Sequence, residues 1–272
     1  MKLLAGSYDN GATADDEKAI LLSFQSESRE IYKDHPHEWD IAYGGPSREV
    51  FDWFYSTGEN KGTVVFLHDG YCQFCNKEDV AFIAKNLLLF GFDVVLVEYT
   101  LAPTATLADI CQQIGVAVDA IEQRVKQRGG KPVYLSAHSA GGQLAAFWQH
   151  YRCVRVFFAI SGIFELEPLL TTYVNQQLKL TAQQTENLSF LVRNIPQSLK
   201  PLALLYGTEE LPELIGQSVY YHSVLQDKGL LASCCPVNGA NHFSALQALF
   251  ATDGMMCRQL LTYGEISDAN NH

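Results

Sequence analysis

A serine set between small residues is the first candidate for chemistry. Residues 134–145 run from an apolar, strand-like stretch through Ser139 into an alanine-rich, helix-like one, with Ala137 two places before the serine and Gly141 two places after it. A serine on a sharp strand-to-helix turn sits in strained backbone geometry, and only small flanking residues leave room for that turn. Such a serine attacks a carbonyl when a base takes its proton and a third group orients the base. His242 is the candidate base, because it follows a strand-like stretch ending near Val237 through the turn-like Asn238-Gly239-Ala240-Asn241. The candidate acids lie in the turn after another strand: Glu209, Glu210 and Glu213, with Glu210 favoured and Glu213 read as a first-turn helix residue. Acyl transfer also needs N–H groups aimed at the tetrahedral oxyanion, each worth about 3–4 kcal/mol. The expected donors are the amides of Ala140, just after the serine, and of Gly70 and Tyr71, in the loop His68-Asp69-Gly70-Tyr71-Cys72.

These residues must be delivered by regular elements, and the sequence alternates in the way required. Residues 15–32 carry apolar positions at helical spacing with acidic residues at the start, and residues 49–55 read as a half-exposed strand. Residues 62–68 and 93–98 are continuous apolar runs, the pattern of strands buried on both faces. Strands are also predicted over 131–136, 154–160, 201–206 and 231–237, and helices over 79–90, 106–128, 213–226 and 243–250. Alternation of this kind predicts an α/β fold with a mostly parallel central sheet covered by helices on both faces. One domain is expected over residues 1–272, with a cap segment at about 164–200 and a frayed polar tail over 265–272.

Composition narrows the function classes. A hydrophobic fraction of 47% with 18% charged residues marks a globular chain, and a net charge of −11 without a basic cluster argues against nucleic acid as a partner. The seven cysteines are scattered through mostly apolar sequence, which suits reduced thiols, and Cys72-x-x-Cys75 lacks the second pair of a zinc motif. The opening apolar stretch is too short for a secretion signal and no apolar run reaches membrane length, so a cytoplasmic location is expected. The remaining histidines, His35, His37, His150, His222 and His272, have no partner cluster. His138, inside the serine turn, is expected to point away from the serine's side and to pack structurally.

Six segments in order carry a family likeness: 68–72, Tyr99-Thr100-Leu101-Ala102-Pro103, 137–142, 161–169, 207–213 and Gly239-Ala240-Asn241-His242-Phe243. Together they resemble the α/β-hydrolase superfamily, and within it the branch of the kynurenine formamidases (arylformamidases) and small carboxylesterases. The resemblance implies an α/β-hydrolase fold and a serine hydrolase with Ser139, Glu210 and His242 as its triad. Such an enzyme needs no cofactor or metal and cleaves a small ester or an aryl formamide such as N-formylkynurenine. Three positions depart from the family pattern. Asp69 replaces the first glycine of a His-Gly-Gly-x-Trp loop, Cys72 replaces its closing aromatic residue, and Glu210 stands where aspartate is usual. A carboxylate at 69 opposes oxyanion formation unless it turns away or is paired. The expected partner is a small-molecule substrate, with no membrane or nucleic acid and a homodimer left open. A ligand-binding homologue without catalysis and a biosynthetic acyl-transfer enzyme are the alternatives.

Overall fold

The computed structural model describes residues 6–189, 195 and 199–269. Eight strands form one sheet in the order β1-β2-β4-β3-β5-β6-β7-β8. They are β1 (His37–Ala42), β2 (Val50–Phe54), β3 (Gly62–Leu67), β4 (Phe92–Val97), β5 (Val133–His138), β6 (Val154–Ile160), β7 (Leu202–Gly207) and β8 (Ala232–Val237). From β4 through β8 every pairing is parallel, whereas β1 and β2 run antiparallel at one edge. The central strands β3, β4 and β5 are buried at every position. Their β-branched and aromatic content supplies the side chains that a sheet covered on both sides requires.

The helices are α1 (Glu17–Asp34), α2 (Ala84–Leu89), α3 (Leu107–Gln127), α4 (Ala140–Ala146), α5 (Asn175–Leu178), α6 (Ala182–Leu188), α7 (Pro212–Asp227), α8 (Ser244–Phe250) and α9 (Met255–Ala269). Two of them show how local sequence sets the ends. Asp16 caps α1 by accepting from the Ala19 N–H at 2.9 Å, and α1 buries Phe24, Ser28 and Ile31 along one stripe. A reciprocal capping box between Thr106 and Asp109 starts α3, which buries Leu107, Ile110, Ile114 and Ile121 on one face. On one side of the sheet α3, α4 and α7 pack into one apolar cluster, and on the other α1, α2, α8 and α9 pack into a second. The mostly parallel α/β architecture is therefore as predicted.

Three local features differ from the sequence reading. Strand β1 was not predicted; its polar, exposed pattern reflects an edge position with few neighbours to demand apolar residues. The helix predicted over 79–90 starts as a 3-10 helix, Lys77–Ile83, and becomes α-helical only at Ala84. Strand β5 runs two residues further than predicted, to His138, so the chain turns directly at Ser139. Of the predicted cap, the part over 164–189 forms the 3-10 helix Glu167–Thr171 with α5 and α6. The rest of it, 190–194 and 196–198, lies outside the described residues; the tail expected to fray from 265 is instead helical as far as Ala269, in α9, and 270–272 lie outside the described residues. None of the seven cysteines forms a disulfide; three are buried and four half-buried. Among the described residues no helix is long and apolar enough to cross a membrane.

Candidate active site

Several strands end level at one edge of the sheet. The register pairs Leu67 with Ala137, His138 with Ile160, Ile160 with Leu205 and Gly207 with Val237. The loops that follow therefore bring Asp69, Gly70, Tyr71, Ser139, Ser161, Glu210 and His242 to a common rim. The chain leaving β3 enters the cluster on one face through Val80–Ala84, while α4, leaving the adjacent β5, packs Leu144 and Ala145 into the cluster on the other. Diverging connections from neighbouring strands open a crevice at the carboxyl ends, where ligands bind in open α/β sheets.

Ser139 occupies that crevice in a strained conformation, φ 51° and ψ −119°, a region that costs a non-glycine residue on the order of 1–3 kcal/mol. Its neighbours hold it there. The Ser139 N–H donates to Ile160 O at 2.8 Å, and its carbonyl accepts from the N–H groups of Gly142 at 2.9 Å and Ile163 at 3.3 Å. The requirement for small flanks is visible at Gly141, where a Cβ would lie 2.6 Å from the carbonyl oxygens of both Leu67 and His68. Ala137, the other flank, is fully buried.

Glu210 and His242 meet in the crevice. His242 Nδ1 lies 3.1 Å from Glu210 Oε2, while Glu210 Oε1 accepts from Ser161 Oγ and from the Gly207 N–H, each at 2.6 Å. Burial alone would raise the Glu210 pKa, but the hydrogen bond and charge of His242, with the Ser161 and Gly207 donors, hold it below the usual carboxylate value. His242 moves the other way from its usual partner effect: burial, then the charge of His138, push it below its ordinary value despite the attraction of Glu210. At neutral pH the pair is thus a neutral imidazole donating from Nδ1 to an ionised carboxylate. Its Nε2 carries the free lone pair, is buried, and has no hydrogen-bond partner among the described residues. No hydrogen bond closes between Ser139 and His242 among them, a looseness common before substrate binds. Glu209 is exposed, and its N–H anchors the turn to Ala240 O at 2.9 Å, which fixes Glu210 as the residue facing inward.

The loop after β3 is held as firmly as the serine turn. Gly70, Tyr71 and Cys72 have consecutive positive φ values of 101°, 51° and 58°. A Cβ at position 70 would lie 2.1 Å from Phe74 O, so glycine is required there. The amides of Gly70, Tyr71 and Ala140 have no acceptor among the described residues, and Ala140 is the first residue of α4, whose opening amides a helix leaves free. His68 anchors the base of the loop through Asp69 O at 2.8 Å and Glu98 Oε1 at 3.0 Å, stacked on Tyr99 with ring centroids 4.4 Å apart. Tyr71 is tied to the N-terminal segment: its hydroxyl donates to Tyr8 O at 2.6 Å and accepts from Asn10 Nδ2 at 3.3 Å.

Asp69 is paired. Its Oδ2 lies 3.5 Å from His138 Nδ1, an ion pair when the imidazole is protonated, without good hydrogen-bond geometry. Burial opposes its ionisation, and the charge of His138 outweighs this and holds the carboxyl well below the usual carboxylate range. The sequence reading of His138 as a packing residue is therefore incomplete. Its ring lies 4.5 Å from that of His242, and its Nε2 is 3.1 Å from the carbonyl oxygen of His242, so it steadies the loop that carries the candidate base. Sequence reasoning also missed Ser161 as a donor to Glu210, and Tyr8 and Asn10 as supports of Tyr71. Ser161 alone carried a signal, its place directly after a predicted buried strand.

A strained serine, a buried acid–imidazole pair and free amides at one rim can together attack and release an acyl group. Comparison with known proteins bears on which one. No family model matches the chain. The chain is 30% identical over 236 residues to the kynurenine formamidase of Danio rerio, covering 82% of this chain and 80% of that protein. A crystal structure from Silicibacter sp. TM1040 superposes with a TM-score of 0.85 at 23% identity, over 95% of this chain and 98% of that one. Esterase B from Lactobacillus rhamnosis superposes with a TM-score of 0.72 at 16% identity, over 97% and 98%. At these identities the two structures speak for the α/β-hydrolase fold.

Proposed function

The chain belongs to the kynurenine formamidase family, and from that premise we propose that it is a serine hydrolase cleaving aryl formamides or short acyl esters through an acyl-enzyme. The observation that carries this reading is the buried Glu210–His242 pair, at 3.1 Å, on the same rim as the strained Ser139. Ser139 Oγ attacks the carbonyl carbon while its proton passes to His242 Nε2, and Glu210 stabilises the imidazolium formed. The amides of Gly70, Tyr71 and Ala140 stabilise the oxyanion. Collapse breaks the C–N or C–O bond, and His242 returns the proton to the departing amine or alcohol. Water, deprotonated by His242, then attacks the acyl-serine and restores Ser139. The carboxylate at 69, which would favour a ligand binder over an enzyme, is offset by His138.

The acyl side supports a small group. Tyr71 and Ala140 line a cavity of about 20 Å³ closed by Cys72, Leu166, Leu169 and Leu178, space for about one water. A space of that size suits a formyl or acetyl group better than a longer acyl chain, which would have to displace the leucines. In a panel of N-formylkynurenine and p-nitrophenyl acetate, butyrate and octanoate, kcat/KM is expected to fall at least about tenfold from acetate to butyrate, with Leu169→Ala reducing that gap. An octanoate that is turned over as well as acetate would overturn the assignment.

The same site sets a pH dependence. The base must be neutral to accept the serine's proton, and His242 is held below its ordinary value near 6.5. The rate kcat/KM is therefore expected to be level through neutral pH and to fall only on acidification, with an apparent pKa below about 6.5. An acid limb centred above pH 7 would contradict this.

A further inference from the structure

Beside the candidate base lies a set of side chains that the hydrolytic reading does not use. One donor atom from each of Asp69, His138 and His242 lies within 4.8 Å of the other two. The two histidines are buried, and each has one ring nitrogen already engaged. His138 Nε2 faces the carbonyl oxygen of His242 at 3.1 Å, and a carbonyl only accepts, so Nε2 carries the proton. His242 Nδ1 faces Glu210 Oε2 at 3.1 Å. The nitrogens left over, His138 Nδ1 and His242 Nε2, are both buried without a hydrogen-bond partner. An imidazole whose far N–H is fixed on a carboxylate or a backbone carbonyl is the arrangement that orients metal-ligating histidines.

We propose that Asp69, His138 and His242 form an inhibitory site for a zinc ion, which binds across the base and blocks it. Zinc takes imidazole nitrogen and carboxylate oxygen at about 2.0–2.2 Å in a tetrahedron, with three protein ligands and one open position in many sites. The edge of such a tetrahedron is about 3.4 Å, and Asp69 Oδ2 and His138 Nδ1 already stand 3.5 Å apart. The ion takes the lone pairs of His138 Nδ1 and His242 Nε2 and a carboxylate oxygen of Asp69. Asp69 also lines a cavity of about 220 Å³ with Phe24, Phe74, Cys75 and Phe243, so one ligand of the set faces open space. The departure of position 69 from glycine thereby acquires a use: it supplies the third ligand and the negative charge.

The blocking effect, unlike the binding, rests on the serine-hydrolase reading, so the test measures the two separately. Calorimetric titration of the metal-free protein with zinc is expected to show one ion per chain. Esterase activity is expected to fall over the same concentration range and to return with a chelator. Asp69→Asn and His138→Gln, checked for folding by circular dichroism, are expected to weaken zinc binding at least about tenfold, with inhibition shifting in parallel. With cobalt as the probe, absorption of nitrogen and oxygen coordination is expected, without a thiolate charge-transfer band. Zinc binding that survives both variants, a thiolate band with loss of binding in Cys75→Ser, or activation by zinc would each overturn the proposal. If the protein shows no esterase activity at all, the hydrolytic reading fails, and the calorimetry still decides the site.

Discussion

Ser139→Ala is expected to lower kcat/KM for N-formylkynurenine or p-nitrophenyl acetate by about 10⁵-fold or more, the scale seen when a serine nucleophile is removed. The substitution deletes the attacking oxygen and leaves everything else in place. The residue is buried with 1% exposure, and the smaller side chain fits where the serine was. The strain at φ 51° is borne by hydrogen bonds to the backbone of residue 139, from Gly142 and Ile163 and to Ile160, none of which involves the side chain. The thermal midpoint is therefore expected to stay close to that of the native protein, so that kinetics and melting curves together separate lost chemistry from lost fold. Activity within tenfold of native in a folded Ser139→Ala protein would remove the serine from the reaction.

The second large effect is expected at Glu210→Gln, a fall in kcat of about 10⁴-fold with KM little changed. The reason lies in how the carboxylate is shared. Oε1 accepts two donors, Ser161 Oγ and the Gly207 N–H, both at 2.6 Å, while Oε2 faces His242 Nδ1. A glutamine keeps its oxygen on the two donors and so turns its NH₂ toward His242. Nδ1 must then accept, the ring proton moves to Nε2, and the base has no lone pair for the serine's proton. Glu209→Gln is the matched control: this side chain is exposed, and its loss is expected to change kcat less than about twofold. The reverse ranking would assign the acid to Glu209.

The architecture was readable because buried parallel strands announce themselves as short apolar runs, and the loops after them are short. The candidate serine, acid and base follow from chain order along such strands, and Gly141 follows from the close approach that the turn demands. The inward choice of Glu210 over Glu209 is decided only by the fold, since it depends on the Glu209 N–H reaching Ala240 O across two loops. The pairing of Asp69 with His138 was invisible for a similar reason. It joins Asp69, in the loop after β3, to His138, the last residue of β5, and only the pairing of these two strands brings them together. The support of Tyr71 by Tyr8 and Asn10 spans more than sixty residues and leaves no local pattern. Strand β1 was missed because a solvent-exposed edge strand has no apolar run to display.

The pairing of Asp69 changes what the loop after β3 can do. In the proposed reaction a carboxylate free beside the oxyanion would oppose the charge that develops there, whereas a protonated His138 beside it would offset that carboxylate and leave the amides of Gly70, Tyr71 and Ala140, the proposed donors, to meet the charge. It also ties the loop after β3 to the loop that carries His242 through one histidine, since His138 touches both Asp69 and the backbone of His242. The acidic departure from the family pattern thus links two parts of the site.

The central claim is that Ser139 forms the covalent acyl-enzyme, and a fluorophosphonate probe with peptide mapping by mass spectrometry tests it most directly. One adduct per chain is expected, on the peptide containing Ser139, with activity lost in proportion to labelling and no adduct in folded Ser139→Ala protein. A folded, active sample that takes no label, or takes it on another residue, would contradict the account.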